Sequence, residues 1–464
     1  MSGLFGVVSS DDCVETLFLG TDYHSHLGTQ CGGLAVLGKD GFQRKVKNIS
    51  RSQFKSKFFE DVEKMRGKSG IGVISSDFEQ PLMFESKFGL YAIVVDGLIQ
   101  NKKELVKDLI STGTSFIELS NGSVNTTELV AKLIARGDSL VAGIENMFAK
   151  IKGSISVLIL NHKGIYAARD RHGHSPLVIG EGDRGIAVTS ESCAFPNLGF
   201  KVKKFLNPGE VVLLTPNGVE SIREGGSINK ICTFLWIYTG FPASSYEGIN
   251  AEIVREKCGR ALAKRDKVKA DLVSGVPDSG LAHAIGYAME SGLPYRRPLV
   301  KYTPGYGRSY TPPDQKTRDQ IALMKLIPIK EVIDGKSIII CEDSIVRGTQ
   351  LKNYTVTKLF DSGARQVHAR PACPPLMFPC RYNVSTRTYK ELVARRAIEA
   401  IEGKEVEDVS EYLDPDSEKY KKMIDWIAKE LGVTSLMYQR LDDMIEAVGA
   451  PKEKLCTYCW NGQC

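Results

Sequence analysis

The chain has 464 residues, 42% hydrophobic and 25% charged, with 61 basic against 55 acidic side chains and a net charge of +6. These proportions fit a globular protein of two or three domains and exclude wholesale disorder, collagen and coiled coil. The mild basic excess contains no long run of like charge, so nucleic-acid binding gets no support. No apolar stretch approaches the ~18 residues that would span a membrane. The opening Met1-Ser2-Gly3-Leu4-Phe5-Gly6-Val7-Val8 has no basic region ahead of an apolar core. It does not read as a secretory signal, and a cytoplasmic location is expected. Eleven cysteines are too sparse for a disulfide scaffold and read as thiols or ligands in a reducing compartment.

Along the chain, the first 230 residues are rich in short strands separated by glycine and polar turns. Residues 34–37, 90–95, 154–160 and 209–214 are four such strands, the second ending at a turn Asp96-Gly97. Helical spacing appears at 126–135, with Thr126 or Thr127 as its cap. Strands following one another with few helices between them point to stacked antiparallel sheets. Near Lys230 the pattern changes to alternating helix and strand: helix 250–264, strand 269–274, apolar strand 337–341, helix 350–362. Such alternation, with wholly apolar strands, predicts a parallel doubly wound sheet. Two domains are therefore expected, 1–230 and 231–464, with no internal repeat.

The strongest chemical signal is Ile338-Ile339-Ile340-Cys341-Glu342-Asp343-Ser344-Ile345-Val346-Arg347-Gly348-Thr349. A buried strand delivers two adjacent carboxylates into a loop with serine, glycine and threonine that opens a helix. In doubly wound sheets ligands sit beyond the carboxyl ends of the strands. Loop N–H groups and a helix start make an anion cradle there. Carboxylates beside such a cradle suit hydroxyls or a metal, and a sugar phosphate offers both partners. The segment closely resembles the phosphoribosyl diphosphate signature of type I phosphoribosyltransferases. That resemblance implies that Glu342 and Asp343 meet the ribose hydroxyls, with Mg²⁺ bound alongside the substrate. It also implies that Ser344, Val346, Arg347, Gly348 and Thr349 lie in the 5-phosphate loop. A second glycine turn, Ser274-Gly275-Val276-Pro277-Asp278-Ser279-Gly280, follows a strand and opens a helix. In the family such a turn holds the pyrophosphate, often with an unusual peptide geometry, which places Gly275, Pro277, Asp278, Ser279 and Gly280 there. Between the two lie residues 302–325, rich in Gly, Pro, Arg and Lys. Gly307, Arg308, Pro313, Gln315, Arg318 and Lys325 match the family's lid, a device that closes to exclude water.

With Arg169-Asp170-Arg171-His172-Gly173, Thr189-Ser190-Glu191-Ser192-Cys193-Ala194, Asn207-Pro208-Gly209-Glu210 and the cysteine-bearing tail, nearly the whole chain resembles the amidophosphoribosyltransferase family. The resemblance implies an α+β glutaminase domain of the N-terminal-nucleophile-hydrolase fold, its stacked antiparallel sheets lying between helices. An α/β type I phosphoribosyltransferase domain would follow. It further implies a homo-oligomer, dimer or tetramer. One branch of the family holds a [4Fe–4S] cluster on four cysteines, and the matching positions here are Cys232, Cys380, Cys456 and Cys459. Soft thiolates suit such a cluster, although the same ligand set also suits zinc.

The glutaminase half departs from the family pattern. Where the family has a nucleophilic cysteine, this chain has Ser2. Its carboxylate-clamping arginine falls in Gly70–Ser76, where Val73 stands and no arginine occurs. Its Asn-Gly-Asn oxyanion segment reads Asp96-Gly97-Leu98, its amine-binding aspartate corresponds to Thr126, and its Gln-His-Arg-Gly turn reads Ser25-His26-Leu27-Gly28. Ser2 alone is compatible with catalysis, since a serine beside a terminal amine can act as a nucleophile. Loss of the donor amide and the clamp is not compatible with it. The expectation is a phosphoribosyltransferase of purine synthesis that takes ammonia from solution or from a separate glutaminase. In the transferase half, the acidic pair is Glu-Asp where many relatives have Asp-Asp, and 239–244 lacks the family's Ala-Arg-Pro-Asp-Ser. The latter change raises two alternatives, a transferase using another amine and a non-catalytic regulatory paralogue. Glutamine-dependent activity ranks last.

Overall fold

A computed structural model describes residues 2–120, 122–226, 229–302, 325–383, 386 and 388–464. The chain divides into two compact units. The first comprises residues 1–232, 244–247 and 381–384, and the second comprises 233–243, 248–380 and 385–464. Among the described residues no helix is long and apolar enough to cross a membrane.

The first unit is built from two antiparallel sheets. One has seven strands in the order Phe200–Phe205, Val178–Gly182, Gly185–Thr189, Gly3–Val8, Ser69–Ser75, Cys31–Gly38 and Gly41–Asn48. The other has six, in the order Gly218–Arg223, Val211–Thr215, Gly164–Ala168, Gly153–Asn161, Gly89–Ile99 and Leu82–Ser86. Side chains alternate across a strand, so each sheet builds two apolar layers. Leu4, Ala35 and Val73 from the first sheet pack with Ala92, Leu158 and Val212 from the second. On the outer face, Phe5 and Val7 pack with Leu17, Phe18, Phe54 and Phe58 of helices Val14–Asp22 and Phe54–Val62. Tyr91, Ile93 and Val95 face helices Thr126–Ile134 and Leu140–Lys150. The result is the helix–sheet–sheet–helix arrangement that the resemblance implies.

Two local expectations are corrected. The strand at 90–95 does not end at Asp96-Gly97 but runs on to Ile99, pairing Asp96 with Ser156 and Gly97 with Ile155. Gly97 makes this possible: its φ is +139°, and a Cβ there would lie 1.8 Å from the Ser154 carbonyl oxygen. The cap of helix Thr126–Ile134 is Asn125, whose side chain accepts the Thr127 N–H at 2.8 Å. Asparagine and threonine both cap well, so the run Asn125-Thr126-Thr127 is ambiguous by type alone.

The second unit holds a parallel sheet in the order Leu272–Gly275, Ser337–Glu342, Gln366–Pro371 and Ser435–Leu436. Helices Ala251–Arg265 and Leu281–Ser291 cross closely because both are glycine at the contact. A Cβ on Gly259 would lie 1.8 Å from the His283 carbonyl oxygen, and one on Gly286 1.9 Å from that of Glu256. The helix expected at 350–362 begins as a π-helical turn, Leu351–Val356, and becomes α-helical at Thr357–Asp361.

Candidate active site

In the second unit, the strands Leu272–Gly275 and Ser337–Glu342 lie side by side with Gly275 opposite Cys341. The turn after the first strand folds back onto the end of the second. The Val276 N–H donates to the Cys341 carbonyl at 2.9 Å, and the Gly280 N–H closes the turn onto the Val276 carbonyl at 2.8 Å. Gly280 is required at this spot, since a Cβ there would lie 2.1 Å from the Cys341 oxygen. The Pro277–Asp278 peptide bond is cis. Ser279 Oγ donates to Glu342 Oε1 at 2.5 Å, and the Asp343 N–H donates to the same oxygen at 3.0 Å. Ser344 Oγ donates to Asp343 Oδ1 at 2.5 Å. The two sequence segments singled out for a sugar diphosphate thus meet at the carboxyl ends of adjacent parallel strands. Both carboxyls of the pair are raised above the usual range by burial, Glu342 additionally by the Asp343 charge. Hard oxygen donors of this kind fit a magnesium ion.

The loop beyond the pair is tied from behind. The Val393 N–H donates to the Val346 carbonyl at 2.7 Å, and Arg396 Nη2 donates to the Arg347 carbonyl at 2.6 Å. The exposed Arg347 guanidinium pairs with Glu391. Gly348 takes φ +81°, and Thr349 stands exposed at the start of the following helical turn. Arg308 and its neighbours Gly307, Pro313, Gln315 and Arg318 lie outside the described residues. Lys325 is described, and its carbonyl accepts the Tyr302 N–H at 2.8 Å.

Two residues of this region escaped the sequence reading. Lys301 Nζ lies 2.7 Å from Asp278 Oδ2, joining the strand Leu299–Lys301 to the turn. Arg255 is buried, with Nε donating to the Trp236 carbonyl at 2.7 Å and Nη2 to those of Tyr238 and Gly240 at 3.1 and 2.7 Å. It thereby closes the carbonyl end of the π-helical turn Leu235–Thr239. Only the basic character of Lys301, next to a segment already rich in base, was a usable signal.

In the first unit, the Ser2 N–H donates to Asp96 Oδ1 at 2.5 Å. Asp96 is buried, and burial raises its carboxyl against the pull of this contact. Val73 is fully buried in the layer between the sheets, and Leu98 pairs with Ser154. Thr126 is buried at the first position of its helix. His26 Nε2 lies 2.9 Å from Glu191 Oε2. Glu191 also accepts from the Tyr246 hydroxyl at 2.7 Å and from Ser244 Oγ at 3.2 Å. Burial alone would raise the Glu191 carboxyl, but His26, His24 and the Tyr246 hydroxyl hold it at about 2. Buried His24 is pushed down to about 4 by desolvation.

Of the four cysteines, three belong to the second unit. The N–H groups of Met377 and Phe378 donate to the Cys459 carbonyl at 2.9 and 3.1 Å, which brings the Cys380 segment alongside Cys456 and Cys459. Cysteine thiolates are the soft donors that iron–sulfur clusters take. Cys464 Sγ also lies within 4.8 Å of Cys456 Sγ, a proximity that the sequence reading missed. Cys232 belongs to the first unit, and its N–H lies 3.5 Å from the His174 carbonyl.

Comparison with known proteins gives a consistent result. A glutamine amidotransferase domain model matches residues 70–197. A protein of Bacillus subtilis named amidophosphoribosyltransferase is 32% identical over 99% of this chain and 93% of its own length. One of the same name from Methanocaldococcus jannaschii is 30% identical over 100% and 97%. Among solved structures, the glutamine phosphoribosylpyrophosphate amidotransferase from B. subtilis complexed with ADP and GMP matches with a TM-score of 0.85. It is 29% identical, covering 99% of this chain and 96% of that one. A structure titled as the allosteric regulatory enzyme of purine biosynthesis matches with a TM-score of 0.84 and 29% identity, over 99% of this chain and 95% of that one.

Proposed function

Since this chain belongs to the amidophosphoribosyltransferase family, a family of pentosyl-transferring enzymes, we propose that it makes 5-phosphoribosylamine from phosphoribosyl diphosphate and free ammonia, with a glutaminase half that no longer hydrolyses glutamine. The observation that carries the transfer reaction is the meeting of Glu342 and Asp343 with the turn 275–280 at adjacent strand ends. Glu342 and Asp343 take the ribose hydroxyls. Gly275, Pro277, Asp278, Ser279 and Gly280 cradle the diphosphate, with Arg308 and Lys325 closing from the lid. Ser344, Val346, Arg347, Gly348 and Thr349 take the 5-phosphate. The C1–O bond to pyrophosphate breaks as nitrogen attacks C1 from the opposite face, and the attacking ammonia then sheds a proton to solvent. Positioning carries this step, and no protein nucleophile is needed. Glu342 and Asp343, together with oxygens of the substrate, would hold a magnesium ion, and such an ion would supply positive charge toward the pyrophosphate leaving group.

The loss of glutamine hydrolysis is read from the Ser2–Asp96 contact. A tetrahedral oxyanion needs donors aimed at it. Here Asp96 Oδ1 is an acceptor already engaged with the Ser2 N–H. Leu98 offers no side-chain donor, and Val73 places a buried methyl pair where a cation would clamp the substrate carboxylate. A [4Fe–4S] cluster on Cys232, Cys380, Cys456 and Cys459 and a homo-oligomer complete the proposal. The cluster's role is to join chain segments remote in sequence.

The test is pyrophosphate release from phosphoribosyl diphosphate and Mg²⁺, using protein purified without oxygen, given ammonia, glutamine or neither. Release with ammonia alone supports the proposal. Release with glutamine refutes the loss of hydrolysis. Release only with other amines favours a changed acceptor, the reading that the altered segment Thr239-Gly240-Phe241-Pro242-Ala243-Ser244 motivates. Binding of the substrate without release under any amine favours a regulatory paralogue.

A further inference from the structure

The acid pair and the two anion loops are wired together by serines. Ser279, from the turn assigned to the diphosphate, gives its hydroxyl proton to Glu342 Oε1 at 2.5 Å. Ser344, from the loop assigned to the 5-phosphate, gives its proton to Asp343 Oδ1 at 2.5 Å. A hydroxyl has one proton. While Ser279 donates to Glu342, it turns only lone pairs toward an arriving phosphate, and Glu342 Oε1 is already accepting from Ser279 and from the Asp343 N–H. The contact depends on side-chain length. The turn sits directly on the strand end, with Val276 N–H on the Cys341 carbonyl at 2.9 Å, and the Glu342 side chain spans from that strand to Ser279. An aspartate, shorter by about 1.5 Å, would not reach.

We propose that the Glu342–Ser279 hydrogen bond is a latch between the turn and the strand end, opened when diphosphate takes the Ser279 proton and ribose hydroxyls take the Glu342 oxygen, so that the extra methylene of Glu342 sets substrate affinity. The proposal rests on the reading of this site as the phosphoribosyl diphosphate site. Opening exchanges one hydrogen bond for two contacts to one ligand, which couples recognition of the sugar to recognition of the diphosphate. Glu342 therefore contacts substrate, and it also positions Ser279.

The test uses the full chain with Mg²⁺ and phosphoribosyl diphosphate. Equilibrium binding by calorimetry and ammonia-dependent kinetics are compared for the wild type, Glu342→Asp, Ser279→Ala and the double variant. The latch predicts that Glu342→Asp binds about three- to tenfold tighter, the net effect of releasing one hydrogen bond. KM should fall in step with the dissociation constant. It also predicts that Ser279→Ala costs more affinity in the Glu342→Asp background, where the hydroxyl has lost its Glu342 acceptor, than in the wild type. Unchanged or weaker binding by Glu342→Asp, or an equal Ser279→Ala cost in both backgrounds, overturns the latch. If Glu342→Asp fails to fold, Ser279→Ala in the wild type decides: a loss beyond about tenfold shows that the hydroxyl already serves the ligand, and the latch fails. If the wild type binds no phosphoribosyl diphosphate, the reading of the site fails and takes the latch with it. Binding that is normal but insensitive to Glu342→Asp defeats the latch alone.

Discussion

Glu191 shows how much one buried carboxylate can organise. It is 2% exposed and accepts from Tyr246 and Ser244 while facing His26. Its folded pKa of about 2 lies below its ordinary 4.5. A depressed carboxyl contributes stability that is fully present above the ordinary value and is lost as pH falls toward the folded one. The first unit should therefore lose about 3 kcal/mol between pH 5 and pH 2. In Glu191→Gln that pH-dependent loss should be absent, and stability at pH 7 should be lower by a similar amount. Urea unfolding across pH checks both, and a wild-type profile flat below pH 5 would contradict the assignment. In the same unit, Ser2 and Asp96 yield a second prediction. Ser2→Cys should not restore glutamate release from glutamine, because the acceptor at Asp96 and the apolar Val73 remain. Recovery of hydrolysis by that change alone would show that only the nucleophile had been lost. The sequence made the residue types at 2, 73, 96, 98 and 126 visible. It did not make visible that Ser2 and Asp96 touch, because only the packing of one sheet on the other brings together groups 94 positions apart.

At the scale of elements, the transferase site depends on a turn pressed onto a strand end. Gly280 is the contact, and a methyl there would need the Cys341 carbonyl to move from 2.1 Å. The obstacle is backbone rather than a flexible side chain, so the turn must lift. Gly280→Ala should weaken phosphoribosyl diphosphate binding about tenfold or more while the melting temperature moves little, since the strain falls on a loop and not on the core. Binding within twofold of the wild type would mean that the turn tolerates displacement and that its seating is not what shapes the site. The strand, turn and helix here were legible because residue order and chemistry coincide over 338–349 and 274–280. The continuation of strand Gly89–Ile99 through Asp96-Gly97 was not, because Asp-Gly ordinarily signals a turn and only the approach of Ser154 explains why Gly97 is extended there. The π-helical turns at Leu235–Thr239 and Leu351–Val356 leave no mark in a hydrophobic period. The first of them is closed by Arg255, whose helix position resembles that of an ordinary solvated base.

At the scale of the whole molecule, each unit carries its own apolar core, so neither needs a metal to bury its surface. A cluster would act on segments that the cores leave at the edge. Cys380 follows strand Gln366–Pro371 by a stretch without helix or strand, and Cys456 and Cys459 sit in the tail beyond helix Leu441–Val448. In the second unit these segments are joined by the Met377 and Phe378 N–H groups on the Cys459 carbonyl, two hydrogen bonds whose net worth is about 1 kcal/mol each. Bonds from thiolate to iron would exceed that by far, and metal binding that requires the folded arrangement adds its free energy to folding. Anaerobic reconstitution with iron and sulfide should therefore yield about four irons per chain and a higher melting temperature than the iron-free protein. Serine at Cys232, Cys380, Cys456 or Cys459 should lower both. Serine at Cys464 separates a cluster from a looser thiol site: its Sγ lies within 4.8 Å of Cys456, yet it lies outside the four positions that the family pattern assigns. Iron content should survive Cys464→Ser and fail in Cys456→Ser. Loss of iron in Cys464→Ser with retention in Cys232→Ser would move the fourth ligand from the first unit to the end of the tail. Zinc at one equivalent in place of iron would replace the cluster by a mononuclear site with the same thiolates.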